Sequence, residues 1–285
     1  MKRIITYLLL ISTLLPAFAD ERPTAIMKVE YETTHLSHNI RTGKPIVSTD
    51  KYLLQIAPGS SYYYDPQTYL IDSLDNDPNG RIALDRIRNE SYEECMKTGK
   101  DAFEYQKEKG IMRNKRYKCL KDFNNSNITI WDSSMGDKYR YEVAMDDLNW
   151  ELGDSIKEVM GYECHSATAD YHGRHWTAWF APELAIQDGP WQLCGLPGLI
   201  MEAYTDDGSY RFDIKGLQSC NEVFKDPYED EKYFHTKRTS FLKMKDYSRR
   251  NRSAQISAMT KGKVTLNGSV NYTGTDDYIE TDYHE

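Results

Sequence analysis

Between Gly161 and Ile214 this chain alternates apolar and polar residues in short runs, each closed by turn residues. No other feature constrains its fold as strongly. Successive side chains of a strand point to opposite faces, so a period of two marks a half-buried strand. Residues 161–169 and 174–180 read as two such strands, with Tyr171-His172-Gly173 as the turn between them. Pro182 ends the second, because it cannot donate to a ladder. Leu199, Met201 and Ala203 form one face of a later strand. Asp206-Asp207-Gly208 is a hairpin turn, and Tyr210, Phe212 and Ile214 form the inward face of the next strand.

The same period recurs at both sides of this region. Met27, Val29 and Tyr31 alternate with Lys28, Glu30 and Glu32, and Tyr52, Leu54 and Ile56 repeat the pattern. Short strands are expected at residues 117–123, 128–132 and 139–145. Asp65-Pro66 and Asp77-Pro78-Asn79-Gly80 read as turns. Residues 82–108 carry Ile82, Leu84, Ile87, Tyr92 and Cys95 near helical spacing, with Gly110 as a stop. The chain has 22 tyrosines, which bury a flat apolar body and leave a polar tip wet. That suits a sheet with half-exposed faces. The fold class expected is mainly β (α+β): a curved antiparallel sheet packed with one or two helices.

Lys2 and Arg3 precede an apolar run over residues 4–15, and Ala17-Phe18-Ala19 places small residues at a cleavage site. This is the order of a secretory signal peptide, and the apolar run is short for a membrane span. Residues 1–19 are therefore expected to be removed. No other long apolar run comes later, so no transmembrane segment is expected in the mature chain. Residues 20–270 are expected to form a single β-rich domain, and residues 271–285 an acidic, flexible tail. Net charge is −8 and falls to about −10 without Lys2 and Arg3. That balance argues against nucleic acid as a partner, since such binding needs a basic footprint. Phe241, Leu242, Met244 and Tyr247 lie among several Lys and Arg within residues 234–259. They fit a helix covering a sheet, with anionic lipid head groups as the alternative for its basic face.

Cysteines 95, 119, 164, 194 and 220 all lie in the mature part. Two intrachain bridges among five cysteines can be drawn in 15 ways, and the sequence does not choose among them. Cys164 with Cys194 is the pairing that would tie the loop around residue 195 to its neighbouring strand. His165, His172 and His175 lie near Cys164 and Asp170. Imidazole and thiolate bind zinc or copper, yet the spacing matches no standard site, and solvated hairpin histidines fit it better. Trp176, Trp179, Phe180 and Trp191 fit core positions, or the lining of a ligand groove where one face stays open. Alternation puts Trp176 and Phe180 on one face and Trp179 on the other. There is no GxSxG, HExxH, P-loop or dinucleotide fingerprint, so no catalytic residue and no cofactor is expected.

Gly195-Leu196-Pro197-Gly198-Leu199-Ile200 remains. Pro197 fixes φ near −65° and Gly198 accepts positive φ, which matches the two central positions of a type II turn. Leu196, Leu199 and Ile200 then anchor the turn in the core. These six residues spell the motif that names the GLPGLI family, exported proteins of Gram-negative bacteria. Gly161-Tyr162-Glu163-Cys164, Ala167, Gly173-Arg174, Trp176 to Phe180 and Gly189-Pro190-Trp191 resemble the family's approach to its motif. Tyr210-Arg211-Phe212 resembles the family's strand beyond the motif. The resemblance covers about residues 150 to 216.

That family is named for a sequence and not for an activity, so the resemblance carries over no catalytic residue. It implies a β-rich fold, comparable to periplasmic lipoprotein carriers through patterns such as Trp179-Phe180-Ala181-Pro182. It implies a location in the periplasm or cell envelope, with an outer-membrane or periplasmic protein as a conceivable partner. The function expected is a binding or accessory module that holds an apolar or extended ligand, or docks to an envelope partner. The alternative is a metal-binding protein or metal-dependent hydrolase using the His165/His172/His175 region.

Overall fold

The computed structural model describes residues 23–39, 42–99, 101–134, 136–225, 233–251 and 277–283. The expected signal peptide lies outside the described residues. The protein is mainly β. The strands are β1 (Thr24–His38), β2 (Pro45–Ala57), β3 (Ser60–Tyr64), β4 (Lys118–Asp122), β5 (Asn127–Ser134), β6 (Asp137–Ala144), β7 (Glu151–Val159), β8 (Tyr162–Tyr171), β9 (Arg174–Ala181), β10 (Leu199–Thr205), β11 (Tyr210–Val223) and the short β12 (Phe234–His235). They form one sheet in the order β12-β6-β5-β4-β3-β2-β1-β11-β10-β9-β8-β7. Every neighbouring pair is antiparallel except β12 with β6, so the sheet is mixed rather than purely antiparallel.

Local sequence explains the hairpins. His172 (φ 52°) and Gly173 (φ 77°) both adopt the left-handed region in the β8–β9 turn. Two positive-φ residues make the mirror-image turn whose twist suits flanking strands. Gly208 (φ 69°) closes the β10–β11 hairpin, where Asp207 Oδ1 accepts from Ser209 N at 2.9 Å. β7 is a strand that the periodicity does not predict. It occupies a sheet edge, and residues 151–156 are all exposed, so burial imposes no alternation on them.

Four α-helices occur among the described residues, where one or two were expected: α1 (Pro66–Asn76), α2 (Pro78–Thr98), α3 (Ala102–Glu108) and α4 (Arg238–Arg250). The two Asp-Pro pairs read as turns are helix starts. Asp65 Oδ1 accepts from Thr68 N, and Asp77 Oδ2 from Gly80 N, both at 2.6 Å. Each proline takes the first helical position, where its missing N–H costs nothing. The helix expected over residues 82–108 is split, because Gly99 (φ 75°) ends α2 in a left-handed cap.

The sheet curls on itself. β6 and β8 are nine places apart in the strand order. In a flat sheet at ~4.8 Å per strand they would lie about 43 Å apart. Only two side chains separate them here. Tyr141 of β6 donates to Glu280 (3.3 Å), Gln192 donates to the same oxygen (3.1 Å), and Tyr171 of β8 donates to Gln192 (3.2 Å). The interior is filled by the loop of residues 182–198, whose Trp191, Leu193 and Leu196 are buried. One core cluster accordingly joins Ile128, Ile130 and Tyr141 from one half of the sheet to Trp176, Leu199 and Phe212 from the other.

Of the flexible tail expected over residues 271–285, only residues 277–283 lie within the described residues. In the described part, residues 277–283, Asp277, Glu280 and Tyr283 are buried at every third position. The segment lies across the place where the curled sheet's two ends approach, and its carboxylates are met there by cations.

Candidate functional site at the seam of the curled sheet

The GLPGLI residues build a turn, but not the type II turn expected. Gly198 does not adopt positive φ; Gly195 does, at 89°. Gly198 N bonds to Leu196 O at 2.8 Å, a three-residue γ-turn centred on Pro197, whose fixed φ suits that position. Gly198 is glycine for space: a Cβ would sit 2.3 Å from the Ala181 carbonyl oxygen. Leu196, Leu199 and Ile200 are buried, and Tyr31 donates to Ile200 O at 2.6 Å.

The loop ahead of that turn is held by a buried cation. Lys121 of β4 is fully buried and donates to Asp188 Oδ1 (2.6 Å), Gly189 O (2.7 Å) and Leu193 O (3.1 Å). Burial works against its charge, and the Asp188 carboxylate overcomes this and raises its pKa. Cys119 donates to Trp191 O at 3.1 Å, and Trp150 to Cys194 O at 2.8 Å.

No disulfide joins Cys164 to Cys194; all five cysteines are free. Cys164 faces Lys157 across the β7–β8 ladder, whereas Cys194 lies within the interior loop in the field of Lys121 and Asp188. Burial pushes the thiols of Cys164 and Cys194 up to about 11, and that of Cys119 up to about 12. At neutral pH they are packed thiols, not nucleophiles.

The three histidines do not converge. His175 Nδ1 meets Asp170 Oδ1 at 2.7 Å on the exposed side of the β8–β9 hairpin, and that hydrogen bond raises its pKa. His165 pairs with Glu163 (3.4 Å), and lies five residues from Asp170 along β8, or about 17 Å. His172 turns inward, with Nε2 3.2 Å from Gln192 Oε1 and Nδ1 3.4 Å from Asp282 Oδ2. Among the described residues no three His, Cys, Asp or Glu side chains share a metal-binding point.

Three of the four aromatic residues lie in the core. Trp176, Phe180 and Trp191 are buried, and Trp176 stacks on Trp191 (5.5 Å between centroids) and on Phe212 (5.8 Å). Trp179 lies on the other face, as alternation requires, with Lys157 Nζ 4.3 Å from its ring centroid.

The polar chemistry gathers at the seam. Buried Gln192 is its hub. It accepts from Tyr171 and donates to Tyr117 (3.2 Å) and to buried Glu280. Arg238, at the start of α4, binds Glu280 Oε2 at 2.5 Å and also Asp282. Burial and the nearby Glu280 raise the phenols of Tyr171 and Tyr141, which stay protonated donors. Burial opposes ionisation of Asp282, but hydrogen bonds from His172 and Arg238 hold its carboxyl well below the usual range. This network opens into a cleft of about 420 Å³ lined by Glu142, Asp147, Asp170, His172, Arg238 and Asp282, among others.

Of the candidate histidines, tryptophans, cysteines and motif residues, only His172 lines this cleft. Gln192, Glu280 and Asp282 carry no functional expectation from the sequence, and Arg238 only that of the basic stretch over residues 234–259. A polar residue inside an apolar loop, Gln192 between Trp191 and Leu193, is the one local signal that could have marked the site.

No curated protein matches the chain. Two solved structures of PNGF-II are distantly similar to it. The one in space group P21 is 8% identical with a TM-score of 0.47, covering 79% of this chain and 34% of that chain. The one in space group C2 is 9% identical with a TM-score of 0.46, covering 79% and 33%. The chain thus spans about a third of their length. Residues 171–202 match the model of a family described as a protein of unknown function (Porph_ging). That stretch holds Tyr171, His172 and Gln192 of the network and residues 195–200 of the motif.

Proposed function

We propose that this chain is an exported binding module of the GLPGLI type, acting in the periplasm or cell envelope, which holds an extended ligand bearing polar groups at the seam. The observation that carries this reading is that the buried network around Gln192 and Glu280 reaches the seam cleft through Tyr171, His172, Arg238 and Asp282, which line it. Structural hydrogen bonding alone does not require such a network to face an open cavity, whereas ligand sites pair a few fixed polar groups with a concave surface. The apolar-ligand form of the idea, by analogy with lipoprotein carriers, has less support. Trp176, Trp191 and Leu196 already fill the interior that a lipid would need. Docking to an envelope partner remains compatible with the same surface.

Native mass spectrometry of the full chain purified from its own cell envelope tests the proposal. Excess mass that denaturation removes, and that Arg238→Ala diminishes, is the expected result. A clean apo mass, together with no thermal shift across a panel of polar ligands, would overturn it.

A further inference from the structure

Two strand edges that no other strand covers among the described residues border the seam cleft. We infer that the cleft takes a short stretch of extended peptide main chain bearing a lysine or arginine side chain, docked along these edges. This inference rests on the proposed reading of the seam as a binding surface, and it names the class of ligand.

The first edge belongs to β6. Along an antiparallel strand, the N–H and C=O of one residue point to one side and those of the next residue to the other. Met145 N donates to Ser126 O at 3.0 Å, so the main chain of Met145 turns toward β5. Thr236 N donates to Arg140 O at 3.0 Å, so that of Arg140 turns away from β5. Both contacts require the N–H and C=O of Glu142 and Ala144 to point away from β5 as well. β12 pairs only with Tyr139 and Arg140 and does not reach them. Glu142, Val143 and Ala144 all line the cleft.

The second edge belongs to β8. His175 O accepts from Asp206 N at 3.1 Å, so His175 of β9 turns its main chain away from β8. Asp170 stands opposite His175, and in such a non-hydrogen-bonded pair both residues face outward. β7 pairs with β8 only as far as Thr168. The main chain of Asp170 therefore meets no strand, and Asp170, Tyr171 and His172 line the same cleft. Uncovered edges of this kind are templates for an added strand.

Size agrees with that occupant. The open stretch of β6 from Tyr141 to Ala144 spans about 10 Å at ~3.3 Å per residue, room for roughly three residues of extended chain. The cleft volume of about 420 Å³ lies in the range of ligand sites. Of the segment 277–283 only Asp282 lines it, so the chain's own end does not fill it.

Charge selects the side chain. Glu142 and Asp170 are exposed, whereas Tyr141, Val143, Ala169 and Tyr171 are buried, so both carboxylates project from the outer face. A residue of the added strand lying between them on that face has a carboxylate on either side, which favours a cation. Arg140 pairs with Glu142 at 2.9 Å and His175 with Asp170 at 2.7 Å, but exposed pairs are weak and leave both carboxylates open to a ligand. Asp147, also in the lining, makes no ion pair among the described residues. Arg238, the lining cation, is already held by Glu280 and Asp282.

Fluorescence anisotropy on the full chain tests this, with a labelled pentapeptide whose central lysine is flanked by valines. Two counterparts should each bind at least tenfold more weakly: one with a central glutamate, and one N-methylated at the amides beside the lysine. Glu142→Gln together with Asp170→Asn should lower affinity for the lysine peptide at least tenfold and remove its advantage over the glutamate peptide. Ala144 has a φ of −76°, which proline adopts, and its N–H points away from the β5 ladder. Ala144→Pro should therefore melt near the wild-type temperature and bind the lysine peptide about fivefold more weakly, the loss of one hydrogen bond. An Ala144→Pro variant that does not fold would show this N–H to be used inside the sheet, and overturns the open edge. Equal binding of the lysine and glutamate peptides, or undiminished binding of the N-methylated one, overturns the inference too. No peptide binding, alongside a denaturation-releasable mass on the wild-type chain, would sink this inference and leave the binding-module reading intact.

Discussion

Single residues decide whether the interior loop holds. Lys121 and Asp188 are a fully buried ion pair, and Asp188 Oδ2 has no hydrogen-bond partner among the described residues. Removing the cation strands a carboxylate and two loop carbonyls in the core. Breaking such a pair from one side costs about 3–5 kcal/mol. Lys121→Met is therefore expected to lower stability by that amount in urea denaturation. Adding Asp188→Leu should recover part of the loss, because no charge is then left unpaired. The two glycines of the motif should behave differently. A Cβ at Gly195 meets nothing within 4 Å, so Gly195→Ala carries only the left-handed backbone penalty, about 1–2 kcal/mol. At Gly198 the Cβ would press on backbone atoms of Ala181 and Pro182. Gly198→Ala should cost at least about 3 kcal/mol, the upper end for overpacking. Equal melting temperatures for the two variants would refute this division of roles.

At the scale of elements, caps and edges explain what the sequence pattern disguised. Asp77 serves two helices, because its backbone N–H caps α1 while its carboxylate caps α2. Asp77→Ala should lose about 1 kcal/mol, and Asp77→Asn should lose less, since the amide oxygen still accepts from Gly80 N. Chemical denaturation of both variants resolves the difference. The basic helix α4 takes the sheet-covering role expected for it. It buries Phe241 and Leu242 against the sheet, with Phe241 5.4 Å from the rings of both Tyr139 and Tyr141. Its Lys245 pairs with Asp132 at 2.6 Å, Arg238 with Glu280, and Arg250 with Asp246 at 2.8 Å. Phe241→Ala should cost about 3–5 kcal/mol, the range for emptying a buried aromatic site.

Over the whole molecule, the seam ties distant segments together through charge, and charge makes it pH-dependent. Burial disfavours the ionised form of Asp277, yet hydrogen bonds from His38 and Arg249 depress its carboxyl to about 2. Asp282 is depressed further by His172 and Arg238. A carboxyl whose pKa is lower in the folded protein than in the unfolded chain adds stability above the unfolded value, near 4, and loses it as pH falls toward the folded value. The C-terminal segment is thus expected to stay seated at neutral pH and to loosen between roughly pH 4 and pH 2. Limited proteolysis near Tyr278 and Tyr283 across that window would report it. Unchanged protection down to about pH 2 would show that the carboxylates do not hold the segment.

The order of residues along the chain was enough to locate most of the strands, β7 and β12 excepted, and several of their turns. Val29, Tyr31, Leu54, Phe212 and Ile214 all face inward as their period-two pattern requires, and Tyr171-His172-Gly173 is the hairpin it resembles. Pleat and hairpin twist depend on residues a few positions apart, so a local reading reaches them. The position of the site, by contrast, came from long-range closure. Gln192 and Glu280 stand 88 residues apart, and Tyr141 and Glu280 139 apart. Their meeting depends on the twist accumulated across the sheet and on the loop packed inside it. The same closure turned an acidic, polar chain end into a buried bridge, because its carboxylates met Arg238, Arg249 and His38 only after α4 and β1 had been packed beside it.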